Sequence, residues 1–199
     1  IDKNVKALRK SGNHNCFAAS AVRMAHILAV TGLFDRARRL LDEVAVDSIN
    51  DQQKIAFYNQ QSELNLYRSE MSQNTEYFYD YIQRAQYYRQ LVIQISPKDS
   101  YDYIFNQATY ICEAGDTNKA IQMLEDYLLK LEEGTRAYSI VTSTLAFFYQ
   151  TKEMQQQQER YLLLSAISDE RCAIRENNSL RILSEILMNR GNNDDAYRY

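Results

Sequence analysis

Proline and glycine are nearly missing: the 199 residues hold one Pro and five Gly. β-Sandwiches and dinucleotide-binding α/β folds need many turns built from those residues. A nearly all-helical chain is expected instead. Histidine is scarce as well, with only His14 and His26, and neither stands at metal-ligand spacing from another His or Cys. The three cysteines, Cys16, Cys112 and Cys172, are scattered and odd in number, which suits neither a disulfide framework nor a metal site. They read as small buried hydrophobes and leave the redox compartment open. No apolar run approaches the roughly 18 residues of a membrane helix.

A basic excess is absent too. Lys and Arg number 23 against 26 Asp and Glu, a net charge of −3, which argues against a nucleic-acid surface. The one basic knot, Arg36, Arg38 and Arg39, reads as a solvated helix face. The acidic pair Asp194 and Asp195 stands beside a helix start, where it complements the helix dipole. Gly-x-Ser-x-Gly, Walker and dinucleotide fingerprints are missing, so neither catalysis nor a cofactor is expected.

What is present is a repeat. Gly32 and Ala37, Gly115 and Ala120, and Gly191 and Ala196 share one spacing, and Ala25, Ala108 and Ser184 precede the three glycines by one interval. Downstream, Ala37, Leu41 and Val44, then Ala120, Leu124 and Tyr127, fall on one face of a helix. Small residues at paired positions let two antiparallel helices approach closely. Gly ends the first helix in a backbone conformation that carries no Cβ penalty. Each glycine is thus the turn of a helical hairpin. Gly134 separates two hairpins and Gly12 lies in the polar stretch KSGNHN, so none remains for a phosphate-cradling loop.

This pattern resembles the tetratricopeptide repeat (TPR), whose small–Gly–Ala positions match Ala108, Gly115 and Ala120. A degenerate repeat places Ala146, Gln158, Leu162 and Ser165 in register, with Glu153 where glycine would stand. Another sets Ala85 ahead of Pro97 by the interval of the family's helix-terminating proline, and proline cannot continue a helix. The key positions run 37, 85, 120, 158 and 196, every interval somewhat longer than the usual period of about 34 residues. The long first interval is assigned to an inserted loop at SEMSQNTE (69–76).

The expected fold is an all-α, TPR-like superhelix, a solenoid of about five hairpins. One domain spans 1–199, with hairpins at roughly 14–46, 51–96, 100–131, 135–168 and an incomplete one at 171–199. The chain begins at Ile1 and stops at Tyr199 within a helical pattern. A longer protein that continues helically is therefore expected.

Two sets of residues are candidate binding sites. The chain has 16 Tyr, 7 Phe and no Trp, and half of YFYDYIQRAQYY (77–88) is Tyr or Phe. Tyr77, Tyr81, Ala85 and Tyr88 form one helical stripe. It reads either as a stacking surface for a sugar ring or peptide, or as packing between helices. The second set follows from the TPR resemblance, in which the first helix of each hairpin lines a concave groove. Carried over, the register selects His26 in the first repeat, Asp102, Phe105 and Thr109 in the third, and Ser143, Phe147 and Gln150 in the fourth. In the fifth it selects Asn178, Arg181 and Glu185. A polar ligand would suit this mixture, and so would a plain solvated groove; His26 alone reads more readily as a hydrogen-bonded packing residue than as a ligand contact.

The segments GTRAYSIVTSTLAFFY (134–149) and YLLLSAISDERCAIRENNSLRILSEILMNRGNNDDAYRY (161–199), with YYRQLVIQISPKDSYDYI (87–104) upstream, resemble a more specific family. It comprises Bacteroidetes membrane-tethered transcriptional regulators of the starch-utilisation type. The resemblance implies an exported TPR region, then a coiled coil and a transmembrane helix, then a cytoplasmic helix-turn-helix. This chain would be the periplasmic sensing part, recognising an oligosaccharide or a protein or peptide partner and touching no nucleic acid. A homodimer would suit two-fold operator binding. The alternative is a generic protein–protein scaffold without regulatory role, which could equally be cytoplasmic.

Overall fold

The computed structural model describes residues 7–172, 178–192 and 196, and these contain helices and no strand. The expected pair Asp194 and Asp195 lies outside the described residues, as does part of the fifth hairpin. Residues 7–10 are helical and Val46–Ser48 form a 3-10 turn; the longer helices are α1 (His14–Val30), α2 (Phe34–Asp42), α3 (Asp51–Glu70), α4 (Thr75–Ile95), α5 (Tyr101–Glu113), α6 (Thr117–Leu128), α7 (Arg136–Thr151), α8 (Gln155–Arg171) and α9 (Asn178–Asn189). Two compact units follow along the chain, Ile1–Asn106 and Gln107–Tyr199.

Side chains start several helices where the sequence supplies a cap. Asn13, Asn50, Asn74, Asp116 and Thr135 each accept a hydrogen bond from a backbone N–H of the following first turn, satisfying donors the helix leaves open. Backbone alone closes the hairpin turns. Gly32 (φ 78°), Gly115 (φ 96°) and Gly191 (φ 75°) all adopt the left-handed conformation. At Gly32 the N–H donates to Ala29 C=O (2.9 Å), and the Leu33 N–H donates to Leu28 C=O (2.8 Å). Gly115 with Asp116, and Gly191 with Asn192, repeat that two-bond closure, a Schellman motif. Glu153 takes the glycine's place with φ 58°, and Met154 N–H donates to Tyr149 C=O (3.0 Å). The TPR register is therefore carried by the main chain even where glycine is absent.

In the first unit, α1 turns a ridge of alanines inward. Ala18, Ala21 and Ala25 are fully buried, and α1 packs on both α2 and α3 across this ridge. Ala37 and Leu41 of α2 and Leu64 of α3 complete that core. Each large side chain removed from water contributes on the order of 1.5–3 kcal/mol. In the second unit Ala108, Ala120, Leu124, Leu145 and Ala146 are buried. There α7 packs on α6 and α8, and α8 on α9. Ala196 is buried as well.

Two expectations are corrected. SEMSQNTE is not an inserted loop: Ser69 and Glu70 belong to α3, and Thr75 and Glu76 to α4. Asn74 caps α4 through its Oδ1, which accepts from Glu76 N–H (2.9 Å). The extra length goes into the helices themselves, 20 residues in α3 and 21 in α4. The cysteines are not all buried either. Cys16 is exposed, because Phe17 and Ala18 take the inward face of α1, and Cys112 and Cys172 are only half-buried.

Candidate functional site

The first-helix face of the first unit carries a polar track. His26 is exposed on α1, and its Nδ1 lies 3.0 Å from Glu63 Oε2 on α3. Tyr67 donates its hydroxyl to the other Glu63 oxygen (3.3 Å). Burial, with the Glu63 charge beside it, pushes the Tyr67 pKa up. One turn earlier on α3, Asn59 Nδ2 donates to Asp102 Oδ1 (2.9 Å). Asn106 Nδ2 donates to Asn59 Oδ1 (3.1 Å) and to Asp102 C=O (2.8 Å). Asp102 is thus held in a fixed orientation while half-exposed. Phe105, on the same helix, stacks on Tyr101 with ring centroids 5.6 Å apart. Donors and acceptors ordered in this way suit a polar ligand.

The remaining groove candidates belong to the second unit. Thr109 is half-buried on α5. Ser143 donates to Ile140 C=O of its own helix (2.9 Å). Phe147 stands 58% exposed on α7, unusual for so large an apolar ring, and Gln150 is exposed one turn on. On α9, Asn178, Arg181 and Glu185 are all exposed, and Arg181 and Glu185 pair at 2.5 Å along one helix face.

The tyrosine stripe of α4 divides along its length. Ala85 is fully buried, and Tyr88 stacks on Tyr58 of α3 at 6.2 Å. Burial raises the pKa of both phenols. Toward the N-terminal end of α4, Tyr81 carries the Arg68 guanidinium over its ring, 4.6 Å from the centroid. Tyr77 is 57% exposed. These two tyrosines form one wall of a cleft of about 470 Å³, whose other side is the turn between α1 and α2. Asp35, Arg36 and Arg68 supply its charges, and Arg68 Nη2 lies 3.6 Å from Asp35 Oδ1.

A second concavity, about 520 Å³, lies on the second unit. At its edge Glu125 Oε1 accepts hydroxyls from Tyr149 (2.8 Å) and Tyr161 (2.7 Å), whose rings stack at 5.5 Å. Burial first, then the Glu125 hydrogen bond and charge, push Tyr149 up to about 12 and raise Tyr161 further. This clasp ties α6, α7 and α8 together.

Sequence reasoning missed Asn59, Glu63, Arg68, Asp35 and Asn106. Asn59, Glu63 and Arg68 meet residues of other helices across α3, which no local spacing signals, whereas Asn106 stands one turn after Asp102 on α5 and Asp35 comes from α2. Arg36 of the basic knot is exposed, as a solvated helix face requires, and it also lines the cleft.

Helical hairpins with small residues at their crossings and a shared turn geometry define an all-α, TPR-like helical repeat, a class that typically serves as a non-catalytic scaffold. The chain belongs to the family described as SusR N-terminal TPR domain, which matches residues 1–199. No curated protein matches the chain.

Proposed function

We propose that this chain is the sensing region of a membrane-spanning transcriptional regulator, located on the periplasmic side. It is non-catalytic and recognises a polysaccharide-derived signal. The observation that carries the reading is the family match over the whole 199 residues. Exposed polar and aromatic side chains on first-helix faces support it: His26 and Asp102 are tied to α3, and Phe147 is open to solvent. No described helix is long and apolar enough to cross a membrane, and the proposal assigns the anchor and the DNA-binding module to other parts of the regulator. Two copies would match a two-fold operator.

A sensor moves an equilibrium only if its ligand binds one arrangement better than another. Binding itself is the first thing to test. A thermal-shift screen against neutral and acidic oligosaccharides is expected to raise the melting temperature with at least one class, since a ligand selective for the folded state stabilises it. No shift across the panel would overturn the saccharide reading and leave a protein-binding scaffold.

A further inference from the structure

We propose that the cleft between the α1–α2 turn and the start of α4 binds a saccharide ring bearing a carboxylate, a uronic acid residue, alone or within an oligosaccharide. The inference rests on the sensing reading above and specifies its ligand class. Arg68 is the organising group. Its side chain is only 17% exposed, and its guanidinium lies over Tyr81 at 4.6 Å, so the planar fork is oriented before any ligand arrives. Its contact with Asp35, at 3.6 Å, is longer than a hydrogen bond. Asp35 is itself 73% exposed and can turn aside. Donors of the Arg68 fork therefore remain for oxygen atoms of a ligand.

Arg36 is the second observation. It is exposed and lines the same cleft. Neighbouring Arg38 approaches Asp42 at 4.0 Å, and Arg39 donates to Asp35 C=O at 3.3 Å, whereas Arg36 has no such local acceptor. With two guanidinium groups against one carboxylate, the cleft is locally positive on a chain whose net charge is −3. A free guanidinium fits a carboxylate in a two-pronged, charge-assisted contact. The wall beside it is Tyr77, 57% exposed, with Met71, 71% exposed. A Tyr ring presents a flat apolar face with a polar tip, and the C–H face of a pyranose is its complement. Asp35 is then placed to accept hydrogen bonds from sugar hydroxyls. The cleft, about 470 Å³, falls within the size range of small-ligand sites.

The test uses isothermal titration calorimetry of the chain with tri-galacturonate and with its methyl ester, which keeps the rings and removes the charge. Variants Arg36→Gln and Tyr77→Ala change exposed side chains. The unsubstituted chain is expected to bind the acid about tenfold tighter than the ester at low salt, a difference that salt weakens. R36Q should abolish that preference, and Y77A should weaken both ligands about tenfold. Equal affinity for acid and ester, or acid binding unchanged by both variants, would overturn the assignment. Binding of neither would overturn it too. The broader sensing proposal survives that last result if another saccharide of the screening panel stabilises the chain, and fails with it only if none does.

Discussion

Glu153 is the residue whose backbone departs furthest from its own preference. At φ 58° it is the one non-glycine residue in the left-handed region among those described, in a turn otherwise closed like those at Gly32 and Gly115. An L-residue there carries a steric cost on the order of 1 kcal/mol. Glu153→Gly is expected to raise stability by about 0.5–1 kcal/mol, and Gly115→Ala to lower it by about 1 kcal/mol. A Cβ at Gly115 meets nothing within 4 Å, so its cost is conformational alone. Urea denaturation of both variants checks the pair; equal shifts of one sign would contradict the argument. Tyr149 and Tyr161 make a second prediction at this scale. Both stay protonated in the folded chain well above the ordinary value of 10.0. The stability they confer is therefore full below pH 10 and is lost as pH rises toward about 12, because the unfolded phenols ionise first. The denaturation midpoint should fall over that window, and the double variant Y149F/Y161F should flatten the fall.

Among the elements, α3 departs most from what its composition suggests. It packs on α1, α2 and α4, and Gln60, Gln61, Ser62, Asn65 and Ser69 are all buried. Ser62 donates to Ala85 C=O of α4 (3.0 Å), and Asn65 to Gln61 C=O (2.7 Å). Gln60 Nε2 has no partner. A buried donor without an acceptor is costly, so Gln60→Met is expected to stabilise the chain by about 1 kcal/mol, measured by chemical denaturation; a loss of stability would show the amide to be in use. These burials explain the limits of legibility. The glycine and alanine positions announced the hairpins because a left-handed turn and a close crossing each demand one residue type. Polar residues such as Gln60 and Ser62 gave no sign of burial, since they read as a solvated face until a second neighbour covers them. The interval between Ala37 and Ala85 was likewise ambiguous: a longer loop and two longer helices give the same spacing, and capping by Asn74 decides between them.

At the scale of the whole molecule, class was more legible than site. The repeat and the family resemblance led to the TPR fold and to the SusR N-terminal TPR domain family. Groove positions transferred by register reached His26 and Asp102 but not their partners Glu63 and Asn59, which come from a different helix. The cleft was still less accessible, since Arg36 and Tyr77 approach only after two hairpins have packed. A ligand present at a hundred times its dissociation constant should stabilise the chain by about 2.7 kcal/mol. A melting temperature that climbs steadily with saccharide concentration would record this, and one that stays flat would count against a saccharide signal.

The turn at Gly32 closes through main-chain groups alone, and Leu33, at the start of α2, caps nothing with its side chain. The side chains that project from that bend are consequently released from any duty in holding the hairpin together. Arg36 is exposed at that bend, so its position can be exchanged while the scaffold persists, and chains sharing this frame can differ in what they recognise without first having to refold.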